Sequence, residues 1–432
     1  MMHWKYLTIC LFALFPSALH AQVQIGENPP FLAALSDTDM VPTVYETGAL
    51  GPADGENHDT LSIIALPLDA EAEPRHFAVS NSTNGPPAAL TLSPDGRFAL
   101  VAETYGRRPR DATRLDQLPQ GKVIRSIDLA GEGEVAATVE IGTQPQAISL
   151  NPAGDLLAAI TVDDGQELAF VPVREGRFGA VVRFGLGLPP SGGFIPLKST
   201  WIEWHPSGRY IAVNLVDRAE VAFYEVVRDS EGAVTAIQPW GNRVQTNKFP
   251  FVGRFSPDGR FYITSDLQWG VDTKGFFGVE EGILTTVRLA GEGSSGEAAL
   301  HTVPHVALGG WASETILFSP DGRFLVTSNL RGTGKADGDR QWTEEASLSL
   351  HELDRETGRL HSRGEWRFPA VQPQGLAFSK DGSVLYVGVN RYRGGNHGAV
   401  EIWNLVTEGG PRLERTGTTV RLPPGVHTLA AG

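Results

Sequence analysis

Two residues of this sequence have side chains that could act together in acid–base chemistry, the carboxylate of Glu314 and the imidazole of His427. Gln146 and Gln374 hold places equivalent to that of Glu314, in the phrases TQPQ and VQPQ. A carboxylate beside an imidazole can serve as a general base with an orienting partner. The same four polar residues could instead satisfy backbone groups and bound water. The sequence therefore leaves open whether this set is catalytic or structural.

A second set of residues has the chemistry of a binding surface. Arginines and tryptophans occur in or beside irregular loops that are neutral or positively charged, although the whole chain has a net charge of −14. Such residues suit an anionic or sugar-like ligand, or a protein partner. The alternative is a set of solvated loops with aromatic residues packed beneath them. The predicted ligand-binding residues are Arg107, Arg108, Gln146, Arg243, Trp269, Trp311, Trp342, Gln374, Arg391 and Arg393.

A repeated segment must position these residues. An alternating apolar strand enters a turn such as Ser-Pro-Asp-Gly, in which Pro presets φ and Gly tolerates positive φ, and a second strand leaves it. Two more strands follow most copies, so each unit predicts a four-stranded antiparallel propeller blade. The turn glycines of the six copies, at intervals of 51 to 63 residues, are Gly96, Gly154, Gly208, Gly259, Gly322 and Gly382.

A seventh blade would be split between the two ends of the chain. The final phrase PPGVHTLAAG places Pro424 just before an inner strand, if it is aligned with the Pro or Ser that precedes the other copies. The segments TVYETG (43–48), DTLSIIALPL (59–68) and RHFAVSN (75–81) would supply the remaining strands and close the ring. Six blades with loose tails is the alternative. The predicted fold class is thus an all-β, seven-bladed β-propeller of four-stranded antiparallel blades, closed by its N- and C-terminal segments.

The phrase QPQGLAFSKDGSVLYVGVN (372–390), together with SPDGRF elsewhere, resembles the YVTN-type repeat of lactonase-like seven-bladed propellers, which include 6-phosphogluconolactonase. The resemblance covers nearly all of the chain after its N-terminus and implies the fold. It also implies an Arg-His phrase just before an inner strand, where the two side chains would polarise a lactone. No inner strand here is preceded by Arg-His. The one PRH, Pro74–His76, leads an outer strand, and we interpret it as structural or as part of the surface.

The N-terminus is typical of a secretory signal peptide, because Lys5 is followed by an apolar run over residues 6–15 that is too short to span a bilayer. We therefore divide the chain into a signal peptide (1–21), an N-terminal extension (22–40) and the propeller (41–432). We expect a periplasmic or secreted protein that has no stable membrane span once the signal is cleaved.

Composition restricts the chemistry further. The acidic net charge argues against a nucleic-acid binder, which needs a basic face. Cys10, the only cysteine, lies in the predicted signal, so thiol catalysis and Cys-ligated metals are not expected. We predict no cofactor, no metal site and a monomer.

The leading predicted function is binding of a small anionic or sugar-like ligand, or of a protein partner, through the basic, aromatic loops. One alternative is a lactonase-like hydrolase with a remodelled active site, in which Glu314 and His427 would be catalytic. Another is a docking subunit of a periplasmic redox or envelope complex.

Overall fold

A computed structural model of the chain describes residues 30–52, 59–68, 73–80, 88–191, 197–270, 277–294 and 299–432. These residues form seven antiparallel sheets, each running from an inner strand to an outer strand, so the predicted seven-bladed, all-β propeller is confirmed. The predicted signal peptide (1–21) lies outside the described residues. Within the described ranges, no helix is both long enough and apolar enough to cross a membrane.

The blades are numbered I to VII by the order of their inner strands. The described chain begins with β1 (Phe31–Ser36), helix α1 (Val44–Thr47), β2 (Thr60–Ala65) and β3 (Arg75–Ala78). Blade I contains β4 (Leu90–Leu92), β5 (Phe98–Ala102), β6 (Val123–Asp128) and β7 (Val135–Glu140), with a 3-10 turn at Leu115–Gln117. Blade II contains β8 (Ala147–Leu150), β9 (Leu156–Ile160), β10 (Leu168–Arg174), β11 (Arg177–Phe178) and β12 (Val182–Phe184).

Blade III contains β13 (Ser199–Trp204), β14 (Tyr210–Leu215), β15 (Glu220–Arg228), β16 (Val234–Pro239) and β17 (Val244–Gln245). Blade IV contains β18 (Phe249–Phe255), β19 (Phe261–Leu267), β20 (Glu281–Arg288) and β21 (Thr302–Trp311). Blade V contains β22 (Ser313–Phe318), β23 (Phe324–Asn329), β24 (Ala346–Leu353) and β25 (Leu360–Phe368). Blade VI contains β26 (Val371–Phe378), β27 (Val384–Arg391), β28 (Gly398–Val406) and β29 (Arg412–Leu422), and blade VII adds β30 (Val426–Ala431) to β1, β2 and β3.

The repeated turn is held by its serine as well as by its glycine. In blade V, the Ser319 hydroxyl donates to Asp321 Oδ1 (2.6 Å) and accepts from the Phe324 N–H (2.9 Å). Gly322 has φ +68, a conformation that side chains disfavour. These contacts close the hairpin between β22 and β23, so the repeat Ser-Pro-Asp-Gly acts as a local turn signal.

The apolar core lies between neighbouring blades. The buried ring of Phe170 in blade II packs edge-on against Trp204 in blade III, with 6.1 Å between the ring centroids. Similar contacts continue from sheet to sheet, and one cluster of buried side chains joins blades II to V. Because each sheet is covered on both faces by its neighbours, the inner strands are mostly buried, whereas outer strands such as β7 and β21 expose apolar residues.

The ring closes in blade VII, where β30 from the C-terminus pairs with β1 from the N-terminus. DTLSIIALPL and RHFAVSN contain β2 and β3, as the sequence predicts. The prediction for TVYETG was wrong, because Val44–Thr47 is a helical turn that ends at Gly48 (φ +67). The strand paired with β30 is β1, which lies inside the segment that we assigned to the N-terminal extension (22–40). The propeller therefore includes residues from Phe31 onward.

Ring closure depends on close packing at Gly425. This residue has φ +88, and a Cβ atom built on it would lie 1.8 Å from the backbone oxygen of Asp37. We expect Gly425→Ala to lower the free energy of unfolding by about 1–3 kcal/mol more than Gly417→Ala does, because overpacking is added to backbone strain. Gly417 is a matched control, since its φ is +82 and its Cβ would meet no atom within 4 Å. Urea unfolding of both variants measures the difference; equal losses would contradict this account of closure.

Candidate functional site

A β-bulge at the start of an inner strand recurs in blades III to VII. At each bulge the pairing register with the next strand skips one residue of the inner strand. Such an extra residue re-aims its side chain relative to the regular alternation. The skipped residues are Thr200, Phe251, Glu314, Gln374 and His427. The fold thus presents one non-repeating side chain from each of these blades at the same end of the channel.

The register of β30 corrects the alignment of the last copy. Aligning Pro424 with the prolines of the other copies would make Gly425 and Val426 the equivalents of the pair that begins with Glu314 in blade V. In the structure, Ser36 of β1 pairs with Val426 while the next pair reaches Thr428, so His427 is the bulged residue. His427 is therefore the blade VII counterpart of Glu314, as Gln374 is in blade VI.

The described part of the β1–β2 connection, residues 37–52, covers this end of the channel, and we call it the lid. Helix α1 lies within it. Glu46 of the lid forms an ion pair with Lys335 of blade V, and the Gln372 side chain of blade VI donates to the Pro42 carbonyl (3.2 Å). The Tyr45 ring lies 6.0 Å from a phenylalanine ring of blade IV. The lid is thereby attached to three consecutive blades.

Arg108 attaches the lid to blade I. Its guanidinium donates to Asp39 Oδ1 (2.8 Å), to the Gly51 carbonyl (2.9 Å) and to the Ala112 carbonyl (2.8 Å). Both charged side chains of the Arg108–Asp39 pair are mostly buried. Arg108, which we predicted to bind ligand, therefore uses its donors on the chain itself.

A cavity lies between the lid and the mouth of the channel. Its volume is about 110 Å³, measured as the space open to the centre of a water molecule. Most of the wall is apolar or aromatic, and the polar groups are few. The lining residues are Pro42, Tyr45, Glu46, Leu197, Thr200, Phe249, Phe251, Trp269, Phe277, Gly278, Val279, Ala312, Glu314, Leu330, Arg331, Gly334, Lys335 and Gln372.

Glu314 is the most unusual group in this wall. The residue is only 3% exposed, and its Oε1 accepts a hydrogen bond from Gln374 Nε2 (2.9 Å). Its Oε2 is buried and has no hydrogen-bond partner among the described residues. Burial raises the pKa of Glu314 to about 7, and the Gln374 hydrogen bond opposes that rise. The pKa of Tyr45 across the cavity is also raised, first by burial and then by the charge of Glu314.

His427 and Glu314 hold equivalent bulge positions in two blades, and their predicted catalytic partnership stays a prediction. The Nδ1 atom of His427 lies 2.8 Å from the Thr428 hydroxyl, and its imidazole is not part of the cavity wall. Burial lowers the pKa of His427 to about 3, so this ring is neutral near pH 7. The hydrogen-bond partner of Glu314 is Gln374. This carboxyl–amide pair is the polar unit of the site that the described hydrogen bonds show.

Among the other predicted ligand-binding residues, Trp269 lines the cavity, with its ring centroid 5.1 Å from that of Phe251. Gln146 is buried in blade II, where its Nε2 donates to the Gln144 carbonyl (3.0 Å). Arg243 lies near the rim of blade III and pairs with Glu220 (3.2 Å). Of these three residues, only Trp269 lines the cavity, whereas Gln146 and Arg243 do not.

The remaining predicted residues lie away from the cavity. Arg393 stacks over the Trp342 ring, with 4.6 Å between Cζ and the ring centroid, and donates to two backbone carbonyls of blade V. Arg391 is half-buried at the end of β27, and burial lowers its pKa. Trp311 is 46% exposed at the end of β21, and Arg107 is exposed beside the lid. None of these five side chains is part of the cavity wall.

Sequence reasoning missed Tyr45, Arg331 and Lys335 as cavity residues. Tyr45 was placed in a strand, although Gly48 after it is a signal for a helix end. The two basic residues stand in the loop that ends at Trp342, a predicted ligand-binding residue, but their ion pairs with Glu46 and Glu365 could not be read from spacing.

The PRH phrase is structural. Arg75 and His76 lie on β3, and Arg75 donates to the carbonyls of Leu129 (2.7 Å) and Gly131 (3.2 Å) in blade I. His76 Nδ1 lies 2.9 Å from the Ser62 hydroxyl on β2. Both residues therefore connect outer strands rather than reaching the channel.

The ring of seven blades is the fold of the 6-phosphogluconolactonase-like β-propellers. More particularly, the chain is similar to a putative 6-phosphogluconolactonase from Bacteroides uniformis (TM-score 0.63, 15% identity, covering 93% of this chain and 99% of that one). It is similar to another from Bacteroides fragilis (0.61, 13%, 94% and 98%) and to a periplasmic gluconolactonase from Pseudomonas aeruginosa (0.60, 18%, 93% and 98%). At these identities the likeness concerns the fold. No family model matches the chain, and no curated protein matches its sequence.

Proposed function

We propose that the protein is an exported β-propeller that binds a small molecule in the cavity under the lid. The observation that carries this proposal is the buried Oε2 of Glu314, which has no partner among the described residues and faces a mainly apolar cavity. A buried polar atom without a partner costs about 1–3 kcal/mol, and more when it is charged. A ligand that satisfies this atom would recover that energy, which is typical of pockets with a few placed polar groups. The proposal of export rests on the predicted N-terminal signal peptide alone.

The experiment compares the affinities of a panel of compounds for the unaltered protein and for a variant whose cavity is filled by a larger side chain. The panel contains glucono-δ-lactone and small amines, alcohols and carboxylates, each titrated against the purified protein by calorimetry. We expect a compound that binds the unaltered protein to lose at least about tenfold in affinity with Val279→Phe, because the larger side chain occupies the space that the compound needs.

Val135→Phe is the matched control, since Val279 lines the cavity whereas Val135 is 52% exposed on β7. A compound whose affinity is equal in both variants binds elsewhere and contradicts the proposed site. Failure of every compound to bind contradicts the proposed function.

Lactone hydrolysis is a second candidate, favoured by one observation. A carboxyl with a pKa of about 7 is suited to act as a general base at neutral pH. Glu314 would take a proton from the water that attacks the ring carbonyl, and would return it to the ring oxygen as the C–O bond breaks. Arg331, the Arg of the described wall, has its charge paired with Glu365 through Nη1, and only its buried Nε–H lacks a partner to offer a carbonyl. Proton release from glucono-δ-lactone that is lost in Glu314→Gln would favour this candidate.

A further inference from the structure

The cavity has one unpaired charged group among its described lining residues. Glu46 and Lys335 neutralise each other, and Arg331 is paired with Glu365 (3.0 Å) just outside the wall. Glu314 alone has no cationic partner. When Glu314 is ionised, the cavity therefore has one unbalanced negative charge, which a ligand with a single positive charge would neutralise.

The wall around this carboxyl is rich in aromatic rings. The Trp269 centroid lies 4.9 Å from that of Phe277, 5.1 Å from Phe251 and 5.7 Å from Phe249, and all four residues line the cavity together with Tyr45. Aromatic faces attract organic cations, and the attraction is stronger where water is excluded. The unpaired carboxylate and the aromatic wall therefore both favour a positively charged ligand.

The wall has little capacity for the anionic or sugar-like ligands that the loops suggested. A sugar needs several hydrogen-bonding partners, but the Thr200 hydroxyl donates to the Phe251 carbonyl (2.9 Å) and the Gln372 amide donates to the lid. This leaves Arg331 Nε as a single buried donor without a partner in the described wall. An anion would lie beside Glu314, and the two cations of the wall are held by carboxylates.

Resting on the proposed cavity function, we propose that the ligand is a small organic ammonium ion with an apolar body. Its N–H groups donate to Oε2 of Glu314, and its hydrocarbon part lies against Trp269 and Phe251. Gln374 is a positioning residue, because its amide occupies Oε1 and leaves Oε2 toward the cavity.

This arrangement makes binding depend on pH. The ammonium ion binds the ionised carboxylate, whose pKa is about 7 in the empty cavity, so affinity rises with pH and levels off above that value. The other titratable and charged groups of the described cavity wall are Tyr45 and Glu46 of the lid and Arg331 and Lys335 of blade V, and His427 of blade VII holds the bulge position equivalent to that of Glu314. Of these, Glu46, Lys335 and Arg331 are ion-paired, and burial keeps Tyr45 and His427 neutral.

The test uses three probes of nearly equal size, which are benzylammonium, benzyl alcohol and benzoate, in calorimetric titrations of the purified protein. At pH 8 we expect benzylammonium to bind at least about tenfold more tightly than benzyl alcohol, with benzoate weakest. Between pH 8 and pH 6 the affinity for benzylammonium should fall about tenfold, and that for benzyl alcohol should stay nearly constant.

Two variants make the test specific. Glu314→Gln should lower the affinity for benzylammonium at least about tenfold and remove its pH dependence. Glu414→Gln, which alters a carboxylate that is about half exposed on β29, should change neither. Equal or tighter binding of benzyl alcohol or benzoate overturns the ammonium proposal and leaves the cavity proposal standing. If none of the three probes binds, the ammonium proposal also fails. The cavity proposal then fails only if every other compound of the panel fails too.

Discussion

Glu314→Gln is expected to make the protein more stable at neutral and alkaline pH, by about 3 kcal/mol above pH 8. The pKa of this carboxyl is raised from 4.5 to about 7 by burial, and each pKa unit corresponds to about 1.4 kcal/mol. Gln can keep the hydrogen bond from Gln374, because its side-chain oxygen can replace Oε1. The variant therefore removes the cost of a buried charge without removing the contact that holds it.

The direction of the pH dependence follows from the raised pKa. Between pH 4.5 and about 7 the folded protein holds a proton on Glu314 that the unfolded chain has lost, so the stability contributed by this group falls as the pH rises. The advantage of the variant over the unaltered protein should thus be small near pH 4.5 and complete above about pH 8.

Urea unfolding at pH 5 and pH 8 measures this difference. We expect the gap in free energy of unfolding between Glu314→Gln and the unaltered protein to widen by about 2–3 kcal/mol between the two pH values. Glu414→Gln should stay within about 0.5 kcal/mol of the unaltered protein at both. A constant gap for Glu314→Gln would show that the carboxyl is hydrated rather than buried under the lid. A gain in stability of this size when the carboxylate is removed is expected if the charge of Glu314 serves binding at the expense of stability.

Arg415→Ala is expected to lower the free energy of unfolding by about 3–5 kcal/mol. Arg415 on β29 binds both carboxylate oxygens of Glu401 on β28, at 2.6 and 2.9 Å. The Tyr392 hydroxyl donates to the same carboxylate (2.6 Å), and Glu401 is only 1% exposed. Removing the guanidinium leaves a buried charge without its cation, and that loss dominates the effect.

Arg412→Ala is the matched control on the same strand. Arg412 pairs with Glu414 at 2.7 Å, but both side chains are more than 40% exposed, so its loss should cost no more than about 1 kcal/mol. Combining Arg415→Ala with Glu401→Gln should recover part of the stability, because the unpaired charge is then absent. Similar losses for Arg415→Ala and Arg412→Ala in urea unfolding would mean that Glu401 is not isolated from water.

Much of the fold could be predicted because its signals are local. The turn phrase with its Ser, Pro and Gly fixes a hairpin through contacts within five residues, and its repetition predicts the blades. The split blade could be predicted from the C-terminal strand and from the segments of β2 and β3. The partner β1 could not, because pairing with β30 joins residues that are about 400 positions apart.

Less of the candidate site could be predicted. Glu314 and Gln374 share a place in the repeat, and the structure joins them by a hydrogen bond between neighbouring blades. The predicted partnership with His427 stays a prediction, because its imidazole lies beside the Thr428 hydroxyl and is not part of the cavity wall. The arginines of the loops looked available in sequence, yet Arg108 and Arg331 are paired with Asp39 and Glu365, which are distant in the chain.

By itself, the sequence determined the seven blades and the end of the channel at which non-repeating residues gather, because periodicity and turn chemistry act over short distances. The tertiary structure decided the chemistry of that end. It placed the lid over the channel, paired Arg108, Arg331 and Lys335 with carboxylates and left Glu314 without a cation among aromatic rings. Charge pairing and desolvation depend on which residues meet in space. These contacts between distant residues form only when the ring closes, so the linear pattern does not reveal them.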